Sequence, residues 1–468
     1  MKAAPFWIFG VLSVGIGCSA PIEAEMASEP AAFADAPHSA ATITVRSEPQ
    51  QTYSGFGFSF EHDNPYRELS RAQRDKVDRL LFGELGTRVV RLWYGPGSPE
   101  PIQDVYAADG IIPAALENGV EELLLGPWSY LDNPEAQARA IARDIVTMRD
   151  DYGVRITATG VINEPGSEPD EPNYLPAEHH VPLAIAMREA LDEAGLQDVT
   201  AIGPEFASAD DVAVRWFDAV AADPRALAAT DALATHSYNM AATRELATRV
   251  LAHDKQYWMT EAGGGVVDGS AEFDYVFGAS AAGRFLNDLN NAVTHWVWFV
   301  GLGEGSADVY QKLVMCEGSC DQGGRIYKNW AYHPVQQISR AFSPGTVMRH
   351  ATSDVPGFED MVWTYGAKPP LHAAAGIRPD GRWVLAAVND TRGGGNEYAS
   401  WPEPRRYTII FAVPQLAAIP EMTFEVCRTG PETAVQCGET LVLEQGRATV
   451  ELAPLGLVTL VAIEAAPT

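Results

Sequence analysis

Between about residue 53 and residue 302, short apolar, β-branched runs alternate with amphipathic helical runs. This is the signature of repeated βα units around a parallel sheet. Eight strands are predicted, over residues 53–61, 87–94, 121–129, 154–164, 199–206, 232–238, 256–261 and 292–301. Eight is the number that closes a (β/α)8 barrel, expected here over residues 53–342. The intervening helices carry legible ends. Ser70 and Gln73 form a capping box before Val77, Leu80 and Leu81, with Gly83 as the C-terminal cap. Asn133-Pro134 places an N-cap before a proline, followed by Ile141, Ile145 and Met148 on one face.

After the eighth strand the pattern changes. Residues 329–342 read as a last helix, and the chain then breaks into short alternating runs over 361–367, 383–389, 407–413, 422–428 and 448–463. These predict an antiparallel β-sandwich over residues 343–468. Thr42 to Val45, within an N-terminal segment 42–52, is one further strand that would join that sandwich.

Composition narrows the picture. With 468 residues there is room for a barrel and a smaller domain, each with a core. A formal charge of −29 excludes nucleic acid as a partner, since phosphates would be repelled. Residues 1–17 read as a secretory signal too short to span a membrane, and Cys18 follows directly. The segment resembles a bacterial lipoprotein signal with Cys18 as the lipidated residue, although Gly15 stands where a large aliphatic residue is usual. A plain cleaved signal is the alternative. Residues 18–41 are rich in Ala, Pro and Glu and read as a flexible tether. The reading places the protein outside the cytoplasm: lipid-anchored in the cell envelope, with that anchor its one membrane contact, or free in the periplasm or outside the cell, as a monomer. Without Cys18 four cysteines remain, in two close pairs, Cys316 with Cys320 and Cys427 with Cys437, which suits two local disulfides better than one zinc site.

In such a barrel the reacting groups stand at the C-terminal ends of the strands. The fourth predicted strand ends in Asn163-Glu164, where Pro165 stops the ladder and biases Glu164 towards an extended backbone. The seventh ends in Thr260-Glu261, followed by glycines. Strands four and seven lie across an eight-membered ring, so the two carboxylates can face each other. Opposed carboxyls suit glycosidic cleavage, one protonating the leaving oxygen and the other attacking the sugar carbon. Arg91 can hold Glu261 ionised, Asn163 can bind a sugar hydroxyl, and His236 and Tyr238 end strand six. Trp93, Trp128, Trp296 and Trp298 offer flat faces for sugar rings, although each alone equally suits packing. Glu61, His62, Glu205 and Tyr310 fall in segments expected to read the sugar's hydroxyls.

These residues resemble the clan A retaining glycoside hydrolases, and most closely glycoside hydrolase family 30, over nearly all of residues 42–465. Gly55-Phe-Gly-Phe-Ser-Phe-Glu61 looks like that family's first strand, Gly126-Pro-Trp-Ser129 like its third-strand end, and Asn163-Glu164-Pro165 like its acid/base motif. Thr260-Glu261 is similar to its nucleophile strand, Tyr332 to Gly345 to its last helix and exit, and Leu452 to Val461 to its closing strand. The resemblance implies Glu164 as acid/base, Glu261 as nucleophile, a carbohydrate as the substrate, and neither metal nor organic cofactor. The aromatic that ends strand eight is Trp296, Trp298 or Phe299, depending on register. A glycan-binding lipoprotein on an inactive barrel is the competing function. A metal hydrolase lacks the ligand cluster it would need at the strand ends.

Overall fold

The computed structural model describes residues 33–466, apart from position 34 and short stretches of which 264–273, 305–310 and 360–365 are the longest. The signal, Cys18, residues 19–32 of the tether, Glu61, His62 and Tyr310 lie outside the described residues.

The first strand, β1 (His38–Tyr53), belongs to the sandwich and is far longer than the four residues anticipated. The barrel follows: β2 (Gly55–Phe60), β3 (Val89–Tyr94), β4 (Glu122–Pro127), β5 (Ala158–Thr159), β6 (Thr200–Phe206), β7 (Ala232–His236), β8 (Gln256–Ala262) and β9 (Val293–Trp298). These eight are parallel, neighbour one another in chain order, and close where β9 pairs with β2. The fourth barrel strand is two residues long instead of eleven. Beyond Thr159 the ladder gives way to isolated bonds, from Asn163 N–H to the Pro127 carbonyl at 2.7 Å and from Glu164 N–H to the Glu205 carbonyl at 2.8 Å.

Inside the barrel, Val89, Leu124, Ala158, Ile202, Ala232, Ala234, Trp258 and Val297 form one apolar layer. Side chains alternate along a strand, so the neighbours on the same strands, Val90, Leu125, Leu233, Met259, Trp296 and Trp298, face the surrounding helices in the main core. The helix Asp274–Asn290 lies against this outer face, where the Phe285 and Trp296 rings stack at 4.0 Å. Ser70 and Gln73 make the capping box, and Asn133 caps the helix Pro134–Tyr152 by accepting from Ala136 N–H. Gly83 caps nothing: it lies within the helical turn Arg79–Glu84, and Gly86, at φ +67°, takes the left-handed position.

Nine strands close the second core in a continuous ring. They are antiparallel except that β1 runs parallel to Arg406–Ala412. The segment 448–463 is two strands, Arg447–Leu452 and Leu457–Ala462, and three strands had no counterpart in the predicted set: Thr346–Ser353, Leu371–Ile377 and Thr433–Glu444. Of 361–367 only a two-residue pairing, Gly366–Ala367, is described. Cys427 pairs with Cys437 across neighbouring strands, and both cysteine pairs lie at disulfide distance, with Cα atoms 5.8 Å apart for Cys316 and Cys320 and 4.2 Å for Cys427 and Cys437.

Candidate active site

The site is built on Arg91. Two residues above Val89 on β3, it points into the barrel by alternation and is fully buried. Gly126 on β4 makes room for it, since a Cβ there would sit 2.8 Å from the guanidinium carbon. Each guanidinium nitrogen has its own acceptor: Nε donates to Glu205 Oε2 at 2.9 Å, Nη1 to Glu261 Oε1 at 2.6 Å, and Nη2 to Asn163 Oδ1 at 2.8 Å. Such charge-assisted bonds are short and directional. Arg91 therefore lies fully buried beneath the acids with all three guanidinium nitrogens engaged, Glu261 among their acceptors.

Both Glu205 and Glu261 face inward because of bulges. By strict alternation from Ile202 and Trp258 each would point at the outer helices. An extra residue on β6 between Ile202 and Glu205, and one on β8 between Met259 and Ala262, reverses them. Bulges beside sites re-aim side chains in this way. Glu205, expected in a sugar-reading loop, is instead completely buried.

Glu164 follows the short β5 with φ +43°, a left-handed conformation instead of the extended one expected before proline. Its side chain is 37% exposed while that of Glu261 is 3% exposed. Glu164, His236 and Glu261 each present an atom within 4.8 Å of the others. His236, fully buried at the end of β7, meets Glu164 Oε1 with Nδ1 at 2.8 Å and lies 3.5 Å from Glu261 Oε2. Tyr238 donates to Glu261 Oε2 at 2.7 Å.

These contacts set the protonation. Burial raises the Glu261 carboxyl above the ordinary glutamate value, against the pull of His236, Arg91 and Tyr238 and with the Glu164 charge adding to it. Burial also acts on Glu164, but the His236 bond and charge, and then Arg91, outweigh it and leave Glu164 low. His236 is raised despite its burial by the two carboxylates. The contact between them thus favours an ionised Glu164 beside a more basic His236 in the free protein.

The aromatic assignments change as well. Val297 faces the barrel interior, so period two sends Trp296 and Trp298 outward and Phe299 inward. Both tryptophans are fully buried, their Nε1 atoms bonded to Asp288 Oδ2 at 2.9 Å and the Gln311 carbonyl at 2.6 Å, and neither reaches the mouth. Phe299 and the partly exposed Trp93 face each other there with ring centres 5.5 Å apart, Trp93 also lying over Arg91 at 5.1 Å. Trp128 is partly exposed against the Gly95 backbone. Asn163 has given its oxygen to Arg91, which leaves its amide NH2 as the group for a hydroxyl. Sequence alternation, counted from Val297, held the signal for Phe299; the bulge that turns Glu205 inward left none.

Glu164, His236 and Glu261 stand close enough for one divalent ion to bridge. The donor set does not suit it. Both Glu261 oxygens already accept from Arg91 and Tyr238, and a cation would sit against the Arg91 charge.

No protein-family model matches the chain, and no curated protein sequence matches it. Solved structures do. The catalytic domain of a glycoside hydrolase family 30 xylanase from Talaromyces cellulolyticus superposes with a TM-score of 0.66 at 18% identity, covering 90% of this chain and 99% of that one. A family 30 subfamily 8 xylanase from Clostridium acetobutylicum gives 0.64 at 16% identity, over 90% and 99%. An endo-β1,6-glucanase gives 0.60 at 15%, over 91% and 94%. The chain thus shares the fold of these glycoside hydrolase structures, a parallel (β/α)8 barrel with a β-rich second domain. Two of the three are family 30 xylanases, so its fold is similar to that of family 30.

Proposed function

We propose that the protein is a retaining glycoside hydrolase acting on a β-linked polysaccharide or its oligosaccharides. The observation that carries this reading is the approach of Glu164 and Glu261 from opposite sides of the barrel mouth, with carboxylate atoms within 4.8 Å. Retaining enzymes hold their carboxyls about 5–5.5 Å apart, whereas inverting ones leave about 6.5–9.5 Å for a water.

Glu261, held on both oxygens by Arg91 and Tyr238, is the nucleophile. Its carboxylate oxygen bonds to the anomeric carbon as the glycosidic C–O bond breaks, and Glu164 gives its proton to the departing oxygen. Water then attacks the anomeric carbon, loses a proton to Glu164, and frees Glu261. A sugar that covers the partly exposed Glu164 raises its proton affinity by desolvation, and His236 at 2.8 Å supplies the proton. As Glu261 becomes an ester its charge disappears, which lowers the proton affinity of Glu164 and readies it as base. Trp93, Phe299 and Trp128 offer the ring faces, and Asn163 the amide donor.

The neighbours named as xylanases and a β1,6-glucanase favour a β-linked glycan. No helix among the described residues is long and apolar enough to cross a membrane. Export with a lipid anchor at Cys18 is part of the same proposal, supported by the N-terminal sequence pattern.

The test is a panel of β-linked glycans and aryl glycosides. Wild type is expected to turn one over, Glu261→Ala to lose that turnover, and a mechanism-based fluorosugar to label Glu261. Binding of a glycan without hydrolysis of any panel member would make the protein a glycan-binding barrel, and labelling elsewhere would refute the assignment of the nucleophile.

A further inference from the structure

Glu205 takes no step in the scheme above, yet it bonds to Arg91 through its side chain and to Glu164 through its backbone. Its side chain is fully buried. Oε2 accepts from Arg91 Nε at 2.9 Å, and Oε1 is buried with no hydrogen-bond partner among the described residues. Gly160 leaves the space for that oxygen, since a Cβ there would lie 2.5 Å from it. The Glu205 carbonyl accepts from Glu164 N–H at 2.8 Å, and its own N–H donates to Ile162 at 2.9 Å. A buried carboxylate with one oxygen unsatisfied is costly. Its retention in so tight a place points to a use for the charge.

We infer that Glu205 is a positioning residue that divides the Arg91 guanidinium, and so sets the orientation and basicity of Glu261. The inference rests on reading Glu261 as the nucleophile. Arg91 has three acceptors on three nitrogens and cannot rotate. Without Glu205, Arg91 is free to turn its fork onto Glu261 as a bidentate pair, drawing Oε2 away from Tyr238. With Glu205 present, Glu261 keeps one oxygen on Arg91 and one on Tyr238. The negative charge of Glu205 also offsets part of the cation, so the Glu261 carboxylate stays more basic than it would beside an undivided arginine. The backbone bond to Glu164 ties the second acid to the same residue.

The charged and titratable groups facing Glu261 are Arg91 from β3, Glu164 after β5, Glu205 from β6, and His236 and Tyr238 from β7 and its end. Arg284 of the helix Asp274–Asn290 approaches through the Gly263 carbonyl. Of these, Glu205→Gln alters one charge and keeps an acceptor for Arg91. Removing a negative neighbour favours the ionised form, so Glu261 should titrate lower, by about one pH unit.

The experiment is a carboxyl titration by NMR on full-length protein labelled with carbon-13 at the glutamate side-chain carboxyl. Glu261 is assigned by the signal lost in Glu261→Gln. In Glu205→Gln its titration is expected to move down by about one unit, the acid limb of kcat/KM on the panel substrate to move with it, and kcat to fall about tenfold with KM nearly unchanged. A residue of merely structural role would lower the melting temperature and leave the titration in place, which overturns the inference. Should Glu205→Gln fail to fold, Gly160→Ala displaces the Glu205 carboxyl while leaving Arg91 and Glu261 intact. A smaller downward shift is expected there, and none would overturn the inference equally. A wild-type protein inactive on every glycoside would sink the hydrolase reading instead, while the titration stands independently of it.

Discussion

Arg91→Met tests the arrangement beneath the acids most severely. Arg91 is fully buried and bonded to two carboxylates and one amide oxygen. Methionine fills much of its volume but leaves Glu205 and Glu261 as like charges inside the barrel. Removing one partner of a buried pair costs about 3–5 kcal/mol, and here two carboxylates are orphaned, so at pH 7 the loss should reach at least that range. In thermal unfolding this corresponds to a fall of roughly 3–5 °C for a chain of this size. The penalty depends on pH in a defined sense. Burial already raises Glu261 above its ordinary value, and without Arg91 its folded-state pKa rises further. A group raised on folding contributes stability below its unfolded value, about 4.3, and that contribution is lost as pH rises through the folded value. The deficit of Arg91→Met should therefore shrink between pH 7 and about pH 4.5. Adding Glu205→Gln should recover part of it, since a neutral amide replaces an uncompensated charge. Urea unfolding at the two pH values, with the double variant alongside, reads all three quantities. A loss under about 1 kcal/mol at pH 7, or one equal at both pH values, would refute the claim that these are ionised, coupled, buried groups.

Tyr238→Phe removes a donor worth about 1.5–3 kcal/mol to an ionised partner, so kcat/KM should fall roughly 10–100-fold. The acid limb should move up, because the lost bond favoured ionised Glu261; an unmoved limb would separate Tyr238 from that carboxylate. Phe299→Ala should raise KM about tenfold with little change in melting temperature, while Trp298→Phe should cost about 1–3 kcal/mol of stability and leave KM unchanged. The opposite pattern would return Trp298 to the mouth and Phe299 to the core.

Much of this protein was legible along the chain because barrels and sandwiches are written in periodicity. The eight βα units, the capped helices at Ser70 and Asn133 and the strand Trp383–Asn389 need only local pattern. That Glu164 and Glu261 meet was legible for the same reason: Glu164 lies beyond the short fourth barrel strand and Glu261 near the end of the seventh, and an eight-membered ring brings those ends across its mouth. Sandwich strands such as Thr433–Glu444 escaped because a largely exposed strand carries weak alternation. The tertiary structure alone decided direction. Two bulges, which answer to pairing with neighbouring strands and not to local composition, turned Glu205 and Glu261 into the barrel. The register of β9 sent Trp296 and Trp298 to the helices and Phe299 to the mouth. Sequence determined which residues reach the strand ends, because spacing is a property of the chain. Which way they point, and that Arg91 joins Glu205, Glu261 and Asn163, depends on strands distant in sequence lying side by side.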